Sequence, residues 1–150
     1  MGYSHYWELD KKVKELPIEL VNDIKVIIEK NIDVLDGDYT ADKGLLLFNG
    51  EPAHETFYVE PYENGFCKTA RKPYDLVVCK ALLLMKYHLK DLVDISSDGF
   101  WVSEEMAETE TLDENWNEAI EQVEELFGYK YDLIKLDTSD GYFGFGIEVR

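Results

Sequence analysis

A chain of 150 residues, 45% hydrophobic and 31% charged, suits one globular core and excludes an intrinsically disordered polypeptide. Its longest apolar runs, such as Leu82-Leu83-Leu84-Met85, fall far short of the roughly 20 residues a membrane helix needs. The formal net charge of -17 disfavours binding to DNA, RNA or anionic lipid, whose phosphates require a positive surface.

In chain order, Tyr3, His5 and Trp7 alternate with Ser4 and Tyr6, which predicts a strand with three rings on one face. Neither a basic start nor an apolar stretch precedes it, so no secretory leader is expected. Cys67 and Cys79 lack Cys-x-x-Cys spacing, which predicts reduced thiols and a cytoplasmic protein rather than a zinc knuckle or a disulfide scaffold. Pro17 suits a first helical turn, and Leu20, Val21, Ile24, Ile27 and Ile28 keep helical spacing to about Asn31. Gly44–Phe48 and Thr56–Val59 read as strands, with Gly65–Lys68 as a third. Pro73 is expected to open a helix, apolar nearly all round, that runs to about Lys90 and occupies the centre of the core. Leu92–Ile95 reads as a short strand ending in the turn Ser96-Ser97-Asp98-Gly99. Thr111 and Glu114 have capping-box spacing before a helix whose stripe is Trp116, Ala119, Ile120, Val123, Leu126 and Phe127, stopped by Gly128. Leu133–Leu136 and Tyr142–Val149 form a closing hairpin around Ser139-Asp140-Gly141. The order predicts an α+β fold over residues 1–150, three helices packed on one mixed or mostly antiparallel sheet of five to six strands.

Charge is unevenly distributed. Lys68, Arg71, Lys72, Lys80, Lys86 and Lys90 lie between Gly65 and Lys90, where Asp75 is the one acid. A helix starting at Pro73 presents free backbone N–H groups and a positive dipole end, where additional cations are unfavourable unless an anion sits there. The sharp reading is a ligand pocket. Lys68, Arg71 and Lys72 hold phosphate, Tyr3, His5, Trp7 and Tyr74 contact a base, and Asp98 accepts from a ribose hydroxyl or base edge. The plain reading is that the cations pair with surface carboxylates and the aromatic stripe is core.

An enzyme using the same pocket is the alternative, with His5 or His54 as general acid or base and Asp98 as a further candidate catalytic group. Ser96 and Ser97 lack the Gly-x-Ser-x-Gly elbow of a hydrolase, and the glycines at 141, 144 and 146 have the wrong spacing for a phosphate loop. His5, His54 and His88 show no metal-site spacing, so neither a metal nor a cofactor is expected. From Glu104 to Glu125 the chain has ten acids and no Lys or Arg. That stretch is either a solvated face or an acidic decoy surface for a nucleic-acid-binding partner protein.

Four blocks, Gly2-Tyr3-Ser4-His5-Tyr6-Trp7, Asn49-Gly50 with His54-Glu55-Thr56-Phe57, Phe66-Cys67-Lys68-Thr69-Ala70-Arg71-Lys72-Pro73-Tyr74-Asp75, and Ser96-Ser97-Asp98-Gly99, resemble a family of small proteins of phage and bacterial genomes. The resemblance spans residues 2–101 and implies a genomic setting but no activity. In a phage setting the cytoplasm is the host's, and sequestering a nucleotide-derived host defence signal is the role that setting implies.

Overall fold

The computed structural model describes residues 3–103, 113–137 and 142–150. Strand β1 (Ser4–Leu9) keeps the expected alternation: His5, Trp7 and Leu9 are buried while Tyr6 and Glu8 face solvent. It is the middle strand of an antiparallel sheet, between β5 (Gly65–Lys68) and β6 (Val93–Ser97). The register sets His5 opposite Cys67 on one side and opposite Ser97 on the other. Gly65 faces Trp7, and a Cβ there would lie 2.6 Å from the indole Cζ2, so the pairing requires a residue without a side chain.

Helix α1 (Ile18–Lys30) follows Pro17 and buries Leu20, Val21, Ile24, Ile27 and Ile28, the stripe its spacing predicts. A second antiparallel sheet comprises β2 (Thr40–Asp42), β3 (Leu45–Phe48) and β4 (Phe57–Val59). Its inner face carries Leu46, Phe48, Phe57 and Val59, all fully buried, with the two phenyl rings 4.9 Å apart.

Helix α2 (Asp75–Leu89) is the centre of the molecule, touching α1, β6, α3 (Glu114–Phe127) and β9 (Tyr142–Val149). It is buried nearly all round, including Asp75 and Lys80, two charged side chains a purely apolar core would not contain. Helix α3 presents Trp116, Ala119 and Val123 to α2. It is stopped by Gly128 in the left-handed conformation, φ +78, whose N–H bonds the carbonyl of Glu124. The third sheet has the order β7 (Trp101–Ser103), β9, β8 (Tyr131–Asp137), all antiparallel. Among the described residues no helix is long and apolar enough to cross a membrane.

The α+β class and the three helices match expectation, but among the described residues the strands form three small sheets of three rather than one of five to six. Two strands account for much of the difference. β2 is a polar triplet with no alternation to betray it. β7 begins straight after a 3-10 turn, Asp98–Phe100, that reads as the end of a strand. The helix starts also move. α2 begins at Asp75 instead of Pro73, and α3 is capped by Asp113, whose carboxylate accepts from the N–H of Asn115. Thr111 and the Ser139-Asp140-Gly141 turn lie outside the described residues.

Candidate functional site

The strand pairing brings His5 to a fully buried position between β5, β6 and the start of α2. His5 Nε2 lies 2.6 Å from Asp75 Oδ1 and Nδ1 lies 2.7 Å from Ser97 Oγ. Ser97 Oγ also receives the indole N–H of Trp116 at 3.0 Å and the backbone N–H of Gly99 at 3.0 Å. Both of those partners can only donate, so they use the two lone pairs of the hydroxyl, and its proton must go to His5 Nδ1. The ring proton is therefore on Nε2, donated to Asp75.

Asp75 in turn accepts from His5, from the hydroxyl of Thr69 and, at 2.7 Å, from Asn115 Nδ2. Burial pushes its carboxyl upward, but the bonds from His5, Asn115 and Thr69 outweigh that and hold it below the ordinary 3.8. As the first residue of α2, the carboxylate also sits at the positive end of the helix dipole. The anion this helix start calls for is thus its own. Cys79 Sγ lies 3.8 Å from both His5 Nε2 and Asp75 Oδ2, and burial drives its thiol well up. His5, Asp75 and Cys79 are a buried trio with donors within 4.8 Å of one another, the one group among the described residues that could enclose a metal ion. Doing so would require breaking the His5–Asp75 bond.

The remaining expected site residues fall into three sets. Tyr3, Trp7 and Tyr74 are core side chains. Tyr3 carries the Arg71 guanidinium 3.9 Å above its ring and meets His5 edge-on at 5.1 Å, while Tyr74 donates its hydroxyl to the carbonyl of Glu55 at 2.5 Å. Arg71 is neutralised by Asp113, and Asp98 is exposed with its carboxylate on the N–H of Ser4 at 3.0 Å. Lys68 is exposed and Lys72 half-exposed, and neither forms an ion pair among the described residues. Tyr3, His5, Arg71 and Asp98 therefore share one neighbourhood, but it is packed, with the rings in the core and the lysines in solvent. His54 stands apart on the loop after β3, exposed. His88 is tied to Asp23 of α1 at 2.6 Å. Of the acidic stretch, 104–112 lie outside the described residues, and Glu114, Glu118, Glu121, Glu124 and Glu125 are exposed along α3.

A different cluster lies where α1, α2 and α3 meet. Lys80 is only 4% exposed, yet it lines a groove of about 490 Å³ with Ile27, Lys30, Asn31, Gln122, Val123, Glu125 and Leu126. Its ammonium donates to Gln122 Oε1 at 2.8 Å and Asn31 Oδ1 at 3.3 Å. Both amides are oriented for this. Asn31 ties its NH2 to the carbonyl of Ile27, and Gln122 ties its NH2 to Glu118. Two neutral carbonyls face three N–H donors, which leaves one donor over and no carboxylate in contact. Burial lowers the pKa of Lys80 below the ordinary 10.5, with the more distant Glu118 pulling the other way.

Comparison with protein-family models, curated proteins and solved structures finds no match. Sequence reasoning counted Lys80 in the basic island but not among the site residues, and passed over Asn31 and Gln122, although a signal was present. A lysine inside Val77-Val78-Cys79-Lys80-Ala81-Leu82, a helix read as buried on every side, has no exposed face to occupy.

Proposed function

We propose that the chain is a binding protein for a small anionic ligand with an aliphatic body, seated in the α1–α2–α3 groove on the Lys80 ammonium. The observation that carries this reading is a lysine 4% exposed whose contacts are two amide carbonyls. A buried ammonium with no carboxylate in direct contact is costly, and a carboxylate or phosphate brought to the spare N–H relieves that cost. Lys30 at the rim adds a second cation, and Ile27, Val123 and Leu126 supply apolar surface for the body of the ligand. The volume suits a small molecule, and among the described residues no aromatic ring lines the groove for a nucleobase to stack on. An aliphatic carboxylate or phosphate therefore fits better than a nucleotide.

Binding is favoured over turnover. Of the two histidines expected for acid–base work, His5 is fully buried with both ring nitrogens occupied, and His54, exposed on the loop after β3, does not line the groove. A thermal-shift screen tests the proposal, using inorganic phosphate, alkyl carboxylates of increasing length, alkyl phosphates, and mono- and cyclic nucleotides. Ligand at about 100 times its Kd adds about 2.7 kcal/mol of stability. We expect alkyl carboxylates or phosphates to stabilise the wild type and to lose that effect in Lys80→Met, whose apolar side chain leaves the unliganded fold intact. Equal stabilisation of the two proteins, or none by any anion, overturns the reading.

A further inference from the structure

A second hollow has the opposite chemistry. It lies between the edge strands of the first two sheets, encloses about 310 Å³, and is walled by Tyr58 and Phe66 with Trp7 beneath. Tyr58 and Phe66 are 47% and 59% exposed, so both rings are open to a guest from solvent. Trp7 forms the floor from within the core, only 2% exposed, with Gly65 packed against its indole. Among the described residues the charged groups of the lining are Glu60 and Glu63, with no Lys or Arg. Glu60 accepts the hydroxyl of Tyr58.

Aromatic faces are electron-rich and attract cations, most strongly where water is partly excluded and carboxylates lie alongside. An anionic guest would meet two carboxylates and no donor cation. A neutral apolar guest would gain from the rings but nothing from the acids. We infer that this hollow is a binding site for an alkylated organic cation, a quaternary or secondary ammonium group on a short stem. Its size is at the lower end for ligand pockets, which suits a head group rather than a whole drug-sized molecule. The protein's net charge of -17 also draws cations toward its surface. The site is independent of Lys80, on different elements and of opposite charge preference.

The test uses acetyl-Nε-trimethyllysine amide and its uncharged isostere, in which a quaternary carbon replaces the nitrogen. Binding is followed by calorimetry and by the NMR shifts of the Trp7 indole and the Gly65 amide. We expect the cation to move both signals and to bind about two- to five-fold more tightly than the isostere, as a solvent-exposed cation–π contact provides. Phe66→Leu and Glu63→Gln should each weaken the cation several-fold, while Lys80→Met leaves it unchanged. Phe66 and Glu63 are both exposed, so those variants keep the fold. Equal affinity for cation and isostere, absence of shifts at Trp7 and Gly65, or full binding by Phe66→Leu would overturn the assignment.

Discussion

Asp75 shows how a buried charge is held without solvent. Three side-chain donors converge on its carboxylate, each fixed by a different part of the chain: His5 on β1, Thr69 after β5, and Asn115 in α3. Asp75→Asn would retain an acceptor for His5 but place an NH2 group against the NH2 of Asn115, leaving buried donors unmatched. We expect a loss of about 2–4 kcal/mol at pH 7, read from urea unfolding. The pH dependence has a definite sign. Because the folded carboxyl lies below 3.8, its contribution is present above that value and disappears as pH falls through the folded pKa. Wild type and Asp75→Asn should therefore converge in stability on acidification. A gap that stays constant to pH 2 would refute the ionised, hydrogen-bonded carboxylate.

At the scale of elements, Asp113 joins α3 to the loop before α2 through its two oxygens. Oδ1 accepts the Asn115 N–H and caps α3, while Oδ2 pairs with Arg71. The cap is expected to matter more, because Arg71 is 57% exposed and such pairs are worth little in water. Asp113→Asn, which preserves the cap and removes the charge, should cost no more than about 1 kcal/mol. Asp113→Ala should cost about 1 kcal/mol beyond that. Equal losses from the two substitutions would mean that the ion pair carries the effect. Local pattern shows why the elements were legible where they were. α1 and α3 advertise themselves by apolar spacing, and β1 by strict alternation. A three-residue strand such as β2 has no period to read, and the start of α2 slips two residues past Pro73 because the intervening residues form a turn.

Across the whole molecule, the four sequence blocks that carry the resemblance turn out to be neighbours. Tyr3 to Trp7, Phe66 to Asp75 and Ser96 to Gly99 meet around His5, and Glu55 of the remaining block receives Tyr74 and Cys67 on its carbonyl and the N–H of Lys68 on its carboxylate. Their residue types could be read from sequence, but their convergence could not, since it depends on which strands pair and in what register. The same limit hid the groove, where Lys80, Asn31 and Gln122 come from three helices. At the helix start anticipated at Pro73, Asp75 meets the dipole and Asp113 pairs with Arg71, while among the described residues Lys68 and Lys72 form no ion pair and Lys80 is a buried cation with no carboxylate in contact. The direct measurement is an NMR titration of the Lys80 side-chain carbon beside the ammonium, with and without an alkyl carboxylate. In the free protein Lys80 should lose its proton at lower pH than the exposed lysines, and the bound carboxylate should move that midpoint upward. A Lys80 that titrates with the surface lysines and ignores the carboxylate would contradict the account.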